Sequence, residues 1–194
     1  MPRTARLVVP GYPHHIIQRG NRRQDVFFTA ADYQSYLELM GEKCAESGTQ
    51  ILAYCLMPNH THLIVRPADP DGLHCIGEVH RRYTRKINAQ KGWQGHLWQS
   101  RFASYPMDSQ HMIEAVRYIE LNPVRAGICR HPALYRWSSA RQRLGRGEKD
   151  LAVTPLPDLI GDWEAYWQDG LIQDEFRSLI ENNEKSQKPL GNVA

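Results

Sequence analysis

The sequence predicts an α+β fold: a ferredoxin-like βαββαβ antiparallel sheet with helices on one face, extended by one extra helix and a helical C-terminal tail. Three observations lead there. Segments of strand and helix periodicity follow one another as strand, helix, strand, strand, helix, strand, helix between residues 14 and 122. Two strongly apolar runs, ILAYCLM (51–57) and HTHLIVR (60–66), are separated only by Pro58-Asn59, which makes them a hairpin. No internal repeat breaks the pattern.

The first strand is HHIIQR (14–19), and a polar, arginine-bearing turn, RGNRRQ, follows it. Over residues 30–46, Tyr33, Tyr36, Leu37, Met40 and Cys44 recur at helical spacing, and Ser47-Gly48 stops the helix. After the hairpin and an ADPDG loop (68–72), residues 73–90 carry Ile76, Val79, Tyr83 and Ile87 along one side of a second helix. GHLWQSRFASYPM (95–107) is expected to be mostly strand. Asp108 or Ser109 can cap a helix over 110–122. Asn122-Pro123 is expected to end it, because proline pushes the preceding residue out of the helical region.

Beyond Gly127 the pattern weakens to a short helical piece with a basic run, then one or two short helices over 157–183 bearing Trp163, Tyr166, Trp167 and Phe176. The last dozen residues are polar and are expected to be mobile. The chain is expected to divide into a body, 1–147, and an acidic helical tail, 148–194, with a disordered end.

Charge supports that division. Residues 1–147 hold 20 Lys and Arg against 11 Asp and Glu, while residues 148–194 hold 4 against 10. A basic body suggests a polyanionic partner. No apolar run approaches the roughly eighteen residues of a membrane span, and MPRTARLVVPGYPHH lacks the apolar core of a secretory signal. A cytoplasmic protein with no membrane partner is expected. Cys44, Cys55, Cys75 and Cys129 form no CxxC pair, which argues against a zinc ribbon and for buried, apolar cysteines.

The most informative segment is MPNHTHLIV (57–65). Side chains alternate faces along a strand, so His60 and His62 point the same way and form a two-imidazole platform for a metal. The second segment is VRYIELNPVR (116–125), where Tyr118 and Asn122 stand four apart on one helical face. Asn122 would add an oxygen ligand to His60 and His62 and leave positions open for a phosphate oxygen. Tyr118, one turn away, would be a covalent nucleophile toward that phosphate. Tyr83 and Tyr105 are rivals, but neither has a ligand-type residue four positions on.

Residues 81–101 hold Arg81, Arg82, Arg85, Lys86, Lys91 and Arg101 and no acid, interleaved with Tyr83, Trp93 and Trp98, with Phe102 following. Arg19, Arg22 and Arg23 form a second basic cluster. Cations track phosphates and aromatic faces stack unpaired bases. Arg81, Arg82 and Arg85 are expected to contact the DNA backbone, and Trp98 and Phe102 to lie in the core.

Four pieces in order, PGYPHHIIQRGNRR, YCLMPNHTHLIV, LWQSRF and YIELNPVRAG, resemble the single-tyrosine HUH transposases, and among them the bacterial REP-associated tyrosine transposases. The resemblance spans roughly residues 1–145. It implies that His60, His62 and Asn122 hold Mg²⁺ or Mn²⁺ and that Tyr118 is the nucleophile. It also implies cleavage of single-stranded or hairpin DNA to a 5′-phosphotyrosine and a free 3′-hydroxyl, by a monomer or homodimer. The sequence departs from the family pattern at Thr61, usually bulky and apolar, and at Asn122, a glutamine in some relatives. Two other classes compete with this reading. A non-catalytic single-stranded nucleic-acid-binding module would show no metal-dependent adduct, and no RNP-like aromatic run is present. A metal-dependent hydrolase would need a base near the metal, and Glu120, two residues from Tyr118, is expected to face elsewhere.

Overall fold

The computed structural model describes residues 6–145, 151, 153–156, 160–172, 189–191 and 193. Four strands, β1 (His14–Arg19), β2 (Gln50–Met57), β3 (His60–Arg66) and β4 (Ala103–Pro106), form one antiparallel sheet in the order β2-β3-β1-β4. With helices α1 (Ala30–Glu46) and α2 (His74–Lys91) this is the βαββαβ arrangement the sequence predicts. The extra helix, α3 (Ser109–Arg125), follows β4.

Local chemistry starts and stops these helices. Thr29 caps α1 in a reciprocal box: its hydroxyl accepts from Asp32 N, and Asp32 Oδ2 accepts from Thr29 N at 2.9 Å. Gly92 ends α2 with a left-handed φ of 65°, a conformation that costs glycine little. Asp108 caps α3 by accepting from His111 N at 2.9 Å.

The two faces of the sheet are covered differently. Ile16, Leu56, Leu63 and Val65 pack against Tyr36, Leu37, Met40, Ile76, Val79 and Tyr83 of α1 and α2. Ile17, Cys55, Met57, Ile64 and Tyr105 pack against Met112, Ala115, Val116 and Ile119 of α3. Burying both faces removes apolar surface from water on each side of one sheet.

Two element boundaries differ from expectation. Of residues 95–107, only Ala103–Pro106 is strand. Before it, residues 97–99 run past the end of β1, with a bridge between Gly20 and Trp98 and Gln99 N donating to Arg19 O at 2.9 Å, and the Trp98 indole turns onto α2, its Nε1 donating to His80 O at 3.3 Å. The helix expected to stop at Asn122 runs through Pro123 to Arg125. Pro123 lacks only its own N–H, and downstream donors complete the last turn: Ala126 N donates to Asn122 O and Ile128 N to Pro123 O, each at 2.9 Å.

The end of the body and the described part of the tail together brace α3. Helices α4 (Ala140–Arg143) and α5 (Trp163–Ile172) meet it around the fully buried carboxylate of Glu120. That carboxylate accepts from Ser139 Oγ (2.7 Å), Arg143 Nε (3.1 Å) and Trp167 Nε1 (3.1 Å). Phe176 and most of the last dozen residues lie outside the described set, but Leu190 is buried beside Met107 and its N–H donates to Pro106 O at 2.9 Å. No helix among the described residues is long and apolar enough to cross a membrane. The four cysteines are free thiols, three of them buried.

Candidate active site

The site is built on the two central strands. In the β1–β3 register Ile17 opposes His62 and Arg19 opposes His60. The alternation of β3 turns His60, His62 and Ile64 toward α3, while Thr61 is fully buried on the other face. The rings of His60 and His62 stand 5.0 Å apart. The half-buried Tyr118 of α3 brings its ring edge-on to His62 at 5.8 Å and to His15 at 6.3 Å. Tyr118 thus stands against His62, and His62 in turn against His60.

Each histidine of the pair is held through Nδ1. His60 Nδ1 lies 2.6 Å from Asn59 Oδ1, an acceptor only, so His60 carries its proton there and its Nε2 keeps a lone pair. His62 Nδ1 lies 3.0 Å from His15 Nε2. Burial lowers the pKa of both rings, His60 to about 4 with help from the Arg19 charge, and His62 well below the ordinary value with help from His60, His15 and Arg19. Neutral imidazoles with Nδ1 engaged are the form in which histidine ligates a metal through Nε2.

Asn122 follows Tyr118 by one turn of α3, half-buried, and its amide nitrogen is buried with no hydrogen-bond partner. Among the described residues no three His, Cys, Asp or Glu side chains form a metal-binding group. The Asn122 side chain carries an amide oxygen that could serve as a further donor, on the same helix as Tyr118. Two imidazoles and an amide oxygen are a donor set that Mg²⁺ or Mn²⁺ accepts. Of the rival tyrosines, Tyr83 is buried on the opposite face with its hydroxyl donating to Val26 O at 2.7 Å. Tyr105 is buried beside His15, with ring centroids 6.4 Å apart. Glu120 points into the α4–α5 junction, away from the histidines.

The profile of the family described as "Transposase IS200 like" matches residues 9–122, a span that contains His60, His62, Tyr118 and Asn122. The chain belongs to the IS200-like transposase family. With that family it is an enzyme that acts on DNA. No curated protein matches this IS200-like transposase. Among solved structures it is similar to a REP-associated tyrosine transposase bound to a REP hairpin, at 21% identity and a TM-score of 0.63 over 80% of this chain and 95% of that one. That likeness concerns the fold. A putative transposase from Deinococcus radiodurans R1 aligns at 22% identity and a TM-score of 0.41 over 61% of this chain and 96% of that one.

The basic residues of this IS200-like transposase fall into two groups. Arg19 ends β1 opposite His60, and Arg22 and Arg23 are exposed in the turn just after it. Both turn residues hold left-handed φ values of 54° and 61°, uncommon for arginine. The turn is tied to the start of the histidine strand: Gly20 N donates to Asn59 O at 2.8 Å and Asn59 Nδ2 to Arg23 O at 3.2 Å. Arg81, Arg82, Arg85 and Lys86 lie on α2, across the sheet from Tyr118. Arg81 and Arg82 both pair with Glu78, at 2.6 and 2.7 Å, and Arg82 also lies 3.6 Å from Glu42. Arg81, Arg101 and Arg6 line a groove of about 1380 Å³ along the β4 edge, with the buried Trp98 and Phe102 in its wall.

Sequence reasoning assigned no role to His15, Asn59 or Glu78. Asn59 precedes the histidine pair and its carbonyl-bearing side chain could have been suspected. Glu78 stands one helical turn before Arg81 and Arg82, just outside the acid-free window. His15 carries no local signal.

Proposed function

We propose that this transposase is a divalent-metal-dependent endonuclease and strand-transferase for single-stranded DNA, with Tyr118 as nucleophile and His60, His62 and Asn122 as metal ligands. The observation that carries this reading is the approach of the Tyr118 ring to within 5.8 Å of His62, beside a second histidine that also has its Nδ1 engaged. The catalytic unit is residues 1–147, and Trp163, Tyr166 and Trp167 of the tail support the nucleophile helix from behind.

A bound Mg²⁺ or Mn²⁺ would offset charge on the scissile phosphate and orient it for in-line attack. Tyr118 Oη forms a bond to phosphorus as the bond to the 3′-oxygen breaks. The products are a 5′-phosphotyrosine and a 3′-hydroxyl, with the phenolic proton reaching the departing oxygen through solvent. The reverse attack by a 3′-hydroxyl restores the phosphodiester without ATP, because one ester is exchanged for another. His60 and His62 contribute neutral Nε2 donors. Arg19, Arg22 and Arg23, beside the histidine strand, take the flanking phosphates, and the α2 residues and Arg101 a more distant part of the DNA. The REP hairpin held by the structurally similar transposase supports a palindromic hairpin substrate.

The test is incubation with end-labelled hairpin, unstructured and duplex DNA in Mn²⁺, Mg²⁺ or EDTA, followed by a denaturing gel. A slow-migrating protein–DNA adduct that needs metal and is strongest with the hairpin is the expected result. Binding without any adduct in either metal would favour a non-catalytic module, and cleavage without an adduct would favour a water-using hydrolase.

A further inference from the structure

His15 is an expensive residue in its position. It is fully buried between the central strands and α3, among Ile17, Ile64 and Tyr105, where an aliphatic or phenyl side chain would fill the same space. One of its ring nitrogens, Nδ1, is buried with no hydrogen-bond partner. The other, Nε2, has one partner in the protein, Nδ1 of His62 at 3.0 Å. The two rings are nearly parallel, 24° apart, and the contact is sealed from solvent, with His62 only 3% exposed. Local conflicts of this kind, a polar ring where packing alone asks for an apolar one, tend to mark functional positions.

Two neutral imidazoles share one hydrogen between these nitrogens, and the bond has two possible directions. If His15 Nε2–H donated, His62 would carry its own proton on Nε2 and could not ligate a metal there. If His62 Nδ1–H donates, His15 carries its own proton on the buried Nδ1, and His62 Nε2 keeps its lone pair, as His60 Nε2 does through Asn59. Histidine ligands generally have the second nitrogen fixed in this way by a neighbouring acceptor.

We propose that His15 is a positioning residue for the metal centre: its Nε2 accepts from His62 Nδ1 and thereby fixes the tautomer and ring plane in which His62 Nε2 faces the metal. The proposal rests on His62 being a ligand, as argued above. His15 touches neither metal nor substrate. It acts through His62, and its ring edge against Tyr118, 6.3 Å between centroids, ties the same residue to the nucleophile helix.

Nitrogen-15 imidazole spectra of the full-length, metal-free protein, with the His62 signals assigned from their loss in His62→Ala, test the direction directly. The expected result is a His62 proton on Nδ1 and a bare His15 Nε2. A His62 proton on Nε2 overturns the proposal without any other variant being needed. Calorimetric titration with Mn²⁺ alone supplies the second readout. His15→Phe should weaken Mn²⁺ binding about 10- to 100-fold and move the His62 proton toward Nε2. His15→Gln, whose amide oxygen reaches the place of Nε2, should restore both. Wild-type affinity and an unchanged tautomer in His15→Phe would overturn the proposal. His62→Ala in the same titration separates the two claims. If it binds Mn²⁺ like the wild type, the ligand assignment itself fails. If it loses binding while His15→Phe does not, only the role of His15 fails.

Discussion

On the face of the sheet covered by α1 and α2, the buried aromatic and imidazole rings with polar atoms meet partners, although Thr61 Oγ1 is buried there without one. Tyr83 Oη donates to Val26 O at 2.7 Å, Tyr36 Oη meets His80 Nε2 at 2.9 Å, and Trp98 Nε1 donates to His80 O at 3.3 Å. On the face covered by α3, His15 Nδ1 and Asn122 Nδ2 are buried with none. Both faces bury aromatic rings and histidines, so composition does not separate them. The kind of unpartnered atom does: the first face leaves the small Thr61 hydroxyl unpaired, while the second leaves a ring nitrogen of His15 and the amide nitrogen of Asn122 unpaired, on residues that touch Tyr118 or share its helix.

Exchanging a tyrosine hydroxyl on each face should break the comparison most strongly. Tyr118→Phe is expected to abolish the covalent adduct, a loss of at least about three orders of magnitude, while hairpin affinity stays within about twofold. Tyr83→Phe should leave adduct formation per folded molecule intact and cost about 1 kcal/mol of stability through the lost bond to Val26 O. His60→Ala and His62→Ala should behave like Tyr118→Phe in cleavage. An adduct that survives in Tyr118→Phe, read on the denaturing gel, would move the nucleophile to Tyr105, the other tyrosine beside His15.

The next effect is on stability, behind the nucleophile helix. Glu120→Ala leaves Arg143 and Trp167 Nε1 without their shared carboxylate in a site that is 0% exposed at Glu120. The expected loss is about 3 kcal/mol, read as a shift of the urea midpoint. Glu120→Gln should cost less, because its amide oxygen can still accept. If Glu120→Ala unfolds at the wild-type midpoint, the cluster of Ser139, Arg143 and Trp167 around Glu120 is not what supports α3.

These contrasts also show which parts of the molecule are readable from sequence. Period-two alternation puts His60 and His62 on one face, and period 3.6 puts Tyr118 beside Asn122, so both halves of the site are local patterns. His15 is not readable that way. Its neighbour His14 is equally buried but spends its nitrogens on Val9 N and Tyr12 O. Only the long-range register, with His15 opposite Ile64 and Tyr105, decides which of the two faces Tyr118. The same limit shortened β4: Leu97 and Trp98 look like strand residues, but each finds its burial against helices. Arg81 and Arg82 look unpaired when the reading window opens at residue 81, and a helix turn brings Glu78 onto both.

A smaller effect concerns acid. Burial lowers the pKa of His80, on the α1–α2 face, from its ordinary value near 6.5 to about 3. Between those values the unfolded chain takes up a proton that the folded one refuses, so acid favours unfolding. Stability tied to His80 is complete above about pH 6.5 and falls as pH drops toward 3, by up to about 1.4 kcal/mol per pH unit. Urea midpoints of the metal-free protein at pH 7, 5.5 and 4.5 should decline, and His80→Gln should decline less steeply. Parallel declines in the two proteins would mean that His80 is protonated in the folded state.

The smallest expected effect separates the two arginine groups. Counterion release makes binding fall with salt by about one unit of slope for each phosphate contact removed. Arg22 and Arg23 are exposed beside the histidine strand, and no ion pair within 4.0 Å involves either among the described residues. Their left-handed backbone would add strain to most replacements, so asparagine, which tolerates that conformation, removes the charge alone. Arg22→Asn with Arg23→Asn should lower the slope of log affinity against log salt by about one to two units. Arg81→Gln with Arg82→Gln should lower it by less than about one, because each guanidinium already shares the Glu78 carboxylate and must leave it to reach a phosphate. Both doubles are measured by fluorescence anisotropy on the same labelled hairpin over a range of salt. A larger drop for the α2 pair would put the main DNA path along the β4 groove, across the sheet from Tyr118, and the substrate strand would then have to cross the sheet edge to reach the tyrosine.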